Sequence, residues 1–151
     1  MSRREERGSG LVEMVWLSLL LLLPLLWIVL SVFEVQRGAF GVSGAARAAA
    51  RAYALAPNDA AGEQRAAAVA RQALADQGLR GVPVRVSVSC SPYPHSCHSG
   101  TSVITVRVES AVDLPFLPEV LGGGAPTFRV EASHRVPIGR YQEVTRDAAA
   151  R

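Results

Sequence analysis

Three hydrophobic patterns succeed one another along the chain. From Met14 to Phe33 there is no alternation at all: MVWLSLLLLLPLLWIVLSVF is twenty residues without a formal charge. As a helix rising 1.5 Å per residue, this run covers about 30 Å, the thickness of a bilayer's hydrocarbon layer. It is too long for an ordinary buried core helix and predicts a single membrane span. Trp16 and Trp27 stand toward its ends, where interfacial rings are favoured. Pro24, near the middle, predicts a kink or a loosened hydrogen-bond ladder.

From Glu34 to Ala56 the pattern turns helical and small. Val42, Ala46, Ala49, Tyr53 and Ala56 recur at heptad-like spacing, while Arg47 and Arg51 fall on another face. Gly38, Gly41 and Gly44 weaken this stretch and predict a bend. A stripe of small residues packs closely either on a partner helix, as in a filament core, or on the chain's own sheet, and the sequence leaves both open. Pro57-Asn58-Asp59 breaks the helix and starts another, Ala60 to Gln77, stopped by Gly78. Its apolar stripe is Ala66, Val69, Ala70, Ala73 and Leu74.

The period then falls to two. Val82, Val84, Val86 and Val88 alternate with polar residues. So do Ile104, Val106, Val108 and Val112, and then Phe128, Val130, Ala132 and Val136. Three such segments predict an antiparallel meander with one apolar face, covered by the second helix. Opposite charges on the polar face can pair across strands. Leu114-Pro115-Phe116-Leu117-Pro118 and the glycines at 122–124 read as an apolar loop, and the tail beyond Tyr141 as frayed. The fold class is therefore α+β. An N-terminal transmembrane helix, 9–33, continues into a helical stalk, 34–57. An α+β domain, 58–140, and a tail, 141–151, follow.

Composition refines this picture. Aromatics are scarce and the apolar residues are mostly Ala, Val and Leu, so the core is thin. All sixteen basic residues are Arg, spread along the chain, with a net charge of +3. No basic face with stacking aromatics emerges, which argues against nucleic-acid binding. Arg3, Arg4 and Arg7 precede the span and only Arg37 follows it closely, which places the head in the cytoplasm and the domain outside. A secretory signal peptide is the competing reading, although Gly38-Ala39-Phe40 and Val42-Ser43-Gly44 match a cleavage site poorly.

Cys90 and Cys97 flank a loop containing two prolines, at the ends of the first two strands. Outside the cytoplasm a disulfide closing this hairpin tip is expected. His95 and His98 make a zinc site the alternative, but the spacing matches no standard one. His134 lies on the apolar face of a strand. No G-x-S-x-G, phosphate loop or HExxH is present, so neither catalysis nor a cofactor is expected.

The sharpest signal lies just before the span. Arg7-Gly8-Ser9-Gly10-Leu11-Val12-Glu13 puts a carboxylate at the edge of an uncharged helix, where it needs a partner or a role. Glu13 could reach the headgroups or help cap a helix starting after Ser9, although the four-residue spacing is one too long for a capping box. A basic head, Gly8, and Glu13 at the start of a long apolar helix look like a class III prepilin leader. With Leu19–Leu26, Pro24 and the Ala45-Ala46-Arg47-Ala48-Ala49-Ala50-Arg51 continuation, the segment from residue 3 to about 56 most resembles TadE-like minor pseudopilins of the tight-adherence (Flp-type) pilus system. Met14 departs from the family, where an aromatic is frequent, and so does the small residue Gly10.

The resemblance implies a cytoplasmic leader, 1–8, cut between Gly8 and Ser9 by a prepilin peptidase. It also implies that Glu13, fifth in the product, pairs with a neighbouring subunit's new amino terminus. The implied partners are other pilins or pseudopilins, the pilus assembly platform and membrane lipid. The alternative is a single-pass anchored binding or sensing domain outside the cytoplasm.

Overall fold

The computed structural model describes residues 6–113 and 127–139, without the side chains of 6–9. The sequence expectations for the head before Glu6, the 114–118 loop, the glycines at 122–124 and the tail after Tyr141 lie outside the described residues.

Helix α1 runs unbroken from Glu6 to Ala54, 49 residues, or about 74 Å. It passes through Pro24, whose missing N–H removes one rung of the ladder without ending the helix. The two serines of the apolar run turn inward on their own helix. Ser18 Oγ donates to the Met14 carbonyl at 2.7 Å and Ser31 Oγ to the Trp27 carbonyl at 2.9 Å. That pairing lets a hydroxyl sit on an apolar surface. Nearly every large side chain from Leu11 to Phe33 is exposed within the chain. This one helix is long and apolar enough to cross a membrane.

At Gly38 the helix changes role. Gly38, Gly41, Val42, Ala45, Ala46, Ala49, Ala50 and Tyr53 are buried. The heptad-like stripe therefore packs on the chain's own domain, and the segment 34–57 carries the sheet directly instead of standing clear of it. Two of the expected bend-makers serve close approach. A Cβ on Gly38 would run into the Val112 side chain, and one on Gly41 would come within 2.9 Å of Leu79 Cδ1.

Helix α2, Asp59–Asp76, is capped by Asn58, whose side chain accepts from the Ala61 N–H at 2.9 Å. It ends where Gly78, at φ +80°, lets the Leu79 N–H reach the Leu74 carbonyl at 2.9 Å. The strands are β1, Val84–Ser91, β2, Val103–Asp113, and β3, Thr127–Pro137, in the spatial order β1-β2-β3, all antiparallel. Val86 faces Val108, which faces Ala132; Cys90 faces Ile104, which faces Val136. The alternation thus stacks one apolar face, with Ile104, Val106 and Val108 fully buried at its centre.

One expectation needs correcting. α2 does not cover the sheet. α1 lies over β2 and β3, while α2 packs chiefly on α1 and meets the sheet mainly at β1. The reason is the width of α1's small-residue surface: Ala45, Ala46, Ala49 and Ala50 are all buried, so the helix receives the sheet on one side and α2 on the other.

Candidate functional site

The residues singled out before the span lie in the first turns of α1. Gly8, Ser9 and Glu13 are all within helix, so a cap following Ser9 does not form in the full chain. Ser9 and Glu13 are four residues apart and share one helix face, about 6 Å apart along the axis. Glu13 is exposed and makes no ion pair among the described residues.

About forty residues further along α1 a second cluster forms that the sequence did not announce. Cys90 and Cys97 are joined by a disulfide, with a Cα–Cα separation of 5.3 Å. Cys90 is inside β1, whereas Cys97 stands in the loop, six residues before β2 begins. The bridge therefore pulls the loop back over the end of the sheet, where it meets the start of α2. Asp59 receives it. The Cys97 N–H donates to Asp59 Oδ2 at 3.1 Å, and His98 Nδ1 lies 2.5 Å from Asp59 Oδ1. The His98 ring stacks on Tyr53, centroids 5.2 Å apart, and its Nε2 lies 3.1 Å from the Tyr53 carbonyl.

The chemistry of this cluster follows from its partners. A carbonyl only accepts, so Nε2 carries a hydrogen; Nδ1 faces a carboxylate, which also calls for a hydrogen. Burial pushes the Asp59 carboxyl upward, but its hydrogen bonds to His98 and to the Cys97 N–H outweigh this and hold it below its ordinary value. Burial first, and then the nearby Asp59 charge, push the Tyr53 phenol well above its ordinary value.

With Nε2 engaged by a main-chain carbonyl, His98 cannot take a proton from a hydroxyl. The cluster acts as a latch that ties the disulfide loop to the α1–α2 corner. Both thiols of the zinc alternative are in the bridge here, and His98 is engaged by Asp59 and the Tyr53 carbonyl. His134 is half-buried opposite Val106 on the apolar face.

No family model, curated protein or solved structure matches the chain.

Proposed function

We propose that the chain is a TadE-like minor pseudopilin that takes part in assembling a tight-adherence (Flp-type) pilus or a related secretion apparatus. In this reading it is a single-pass protein of the cell membrane with a cytoplasmic N-terminus. A prepilin peptidase removes residues 1–8. Ser9 then carries the new amino group, and Glu13 offers its carboxylate to the amino terminus of a neighbouring pilin or pseudopilin. In a low-dielectric setting an unpaired carboxylate is costly and a paired one is tolerated, so the charge favours docked subunits in register.

The observation that supports this reading is the register of Gly8, Ser9 and Glu13 on a helix that continues without interruption into the core of the domain. A subunit positioned through Glu13 thereby positions its sheet as well. No catalytic step and no cofactor belong to this role.

The test is the N-terminus of the mature protein, read by mass spectrometry from membranes of cells that express the peptidase. A start at Ser9 is expected, and Glu13→Ala should still be cleaved while entering assemblies less well. An intact head points instead to an anchored binding or sensing domain, and a start beyond residue 38 to secretion.

A further inference from the structure

The sheet begins where the apolar run ends. Gly38, which packs against Val112 of β2, stands five residues beyond Phe33, or about 7 Å along α1. The headgroup layer on each side of a bilayer is roughly 5–8 Å deep. If the run ending at Phe33 fills the hydrocarbon, the end of the sheet where β2 stops and β3 starts lies in the headgroup layer.

The side chains at that end suit it. Phe128, the second residue of β3, is 48% exposed. It opens on a cleft of about 290 Å³ shared with Ser31, Val32, Val35 and Gln36 of α1, and only apolar atoms show at its surface. Those helix residues bracket Phe33, so the cleft continues the exposed apolar surface of the span. Arginines flank it. Arg37 is half exposed and held in place by the Gln77 carbonyl, with Nη2 at 2.9 Å and Nε at 3.2 Å. Arg129 follows Phe128 directly and is exposed on the opposite face of the sheet, beside Asp113 and Thr127. Among the described residues the carboxylates near this end include Glu34, 3.8 Å from Arg37, Asp113, which is exposed and paired with Thr127 in the ladder, and Glu109, which shares a surface with Asp113 and Arg129. An apolar cleft continuous with the span, with guanidinium groups at the same level to either side, matches acyl chains and the phosphates that border them.

We infer that the β2–β3 end of the sheet is a phospholipid-docking surface. Phe128 seats at the boundary of acyl chains and headgroups, and Arg37 and Arg129 meet lipid phosphates. The partner is the leaflet from which α1 emerges. The inference rests on the membrane-spanning reading of α1 and not on leader cleavage.

Tryptophan quenching tests it, with the full chain reconstituted in phosphatidylcholine–phosphatidylglycerol vesicles whose lipids are brominated near the carbonyl group. In a Trp16→Phe/Trp27→Phe background, Phe128→Trp is compared with Tyr93→Trp, an exposed position at the opposite end of the sheet. Quenching of Phe128→Trp should be at least about threefold stronger, as expected for a ring at the interface, and aqueous acrylamide should give the reverse order. Equal quenching at the two positions overturns the inference. A third variant keeps Trp27 as its only tryptophan and separates the two levels. If Trp27 is quenched and Phe128→Trp is not, docking alone fails; if Trp27 is not quenched, the membrane span fails and the docking surface falls with it.

Discussion

The two halves of α1 differ in side-chain size more than in polarity. From Leu11 to Phe33 the helix displays Leu, Ile, Val, Phe and Trp, almost all exposed within the chain. From Gly38 to Tyr53 it offers mainly Gly and Ala on its inner face, and these are buried beneath the sheet and against α2. Large branched side chains make a smooth apolar cylinder suited to mobile acyl chains. Small ones let another backbone come close enough for packing forces to act. One continuous helix therefore carries two apolar surfaces of different character, and only the small-residue one is covered by the chain's own sheet and second helix.

The largest effect that would break this contrast is a change of volume in the wrong half. Ala49→Leu adds three carbons at a fully buried position and should destabilise the sheet domain by about 3 kcal/mol. Leu21→Ala removes the same volume from an exposed position and should leave the domain's melting within about 0.5 kcal/mol. Thermal unfolding in detergent, followed by tyrosine signals, reads both; equal effects would dissolve the distinction.

A finer test lies between two glycines of the same helix. Gly38→Ala drives a methyl group into Val112 and should cost about 1–2 kcal/mol. At Gly44 an added Cβ meets nothing within 4 Å, so Gly44→Ala should stabilise the chain by about 0.5–1 kcal/mol through helix propensity.

A further contrast, also small, belongs to the latch at the other end of the domain. The Asp59 side chain is 36% exposed, so solvent screening keeps the cost of Asp59→Asn to about 1 kcal/mol. Its pH dependence identifies it. Because folding lowers the Asp59 pKa from 3.8, its contribution is full above that value and is lost as pH falls through the lower folded value. The gap in melting temperature between the parent chain and Asp59→Asn should close as pH falls through the lower folded value. A gap that persists below the folded value would assign the effect to packing instead of charge.

Much of the architecture was legible because it is written locally. The uncharged run from Met14 to Phe33, the parity of Val84, Val86 and Val88, and the break at Pro57-Asn58-Asp59 each need only neighbouring residues to be read. The choice of which helix covers the sheet was not legible. Periodicity marks an apolar face on both α1 and α2 but does not say which surface each face meets, and the deciding fact was the width of the alanine surface on α1. The latch was hidden for a related reason. Asp59 and His98 are 39 residues apart, and either one alone resembles an ordinary helix-start acid or loop histidine. The one local hint was His98 adjoining a cysteine, and it suggested metal chemistry. The meaning of Gly38 and Gly41 needed the opposing side chains, Val112 and Leu79.

The unbroken passage of α1 into the domain also has a mechanical consequence. With no joint between Phe33 and Tyr53, the helix works as a lever whose far arm is about 30 Å long. With α1 spanning a bilayer as proposed, a tilt of about 20°, an ordinary response to a change in thickness, would sweep the latch end sideways by about 10 Å. Inserting one residue into the apolar run would turn the whole sheet by about 100° around the axis relative to Glu13. In that proposed setting the membrane's dimensions and the length of the apolar run become coordinates for the domain: they set how far and in which direction it presents its outer end.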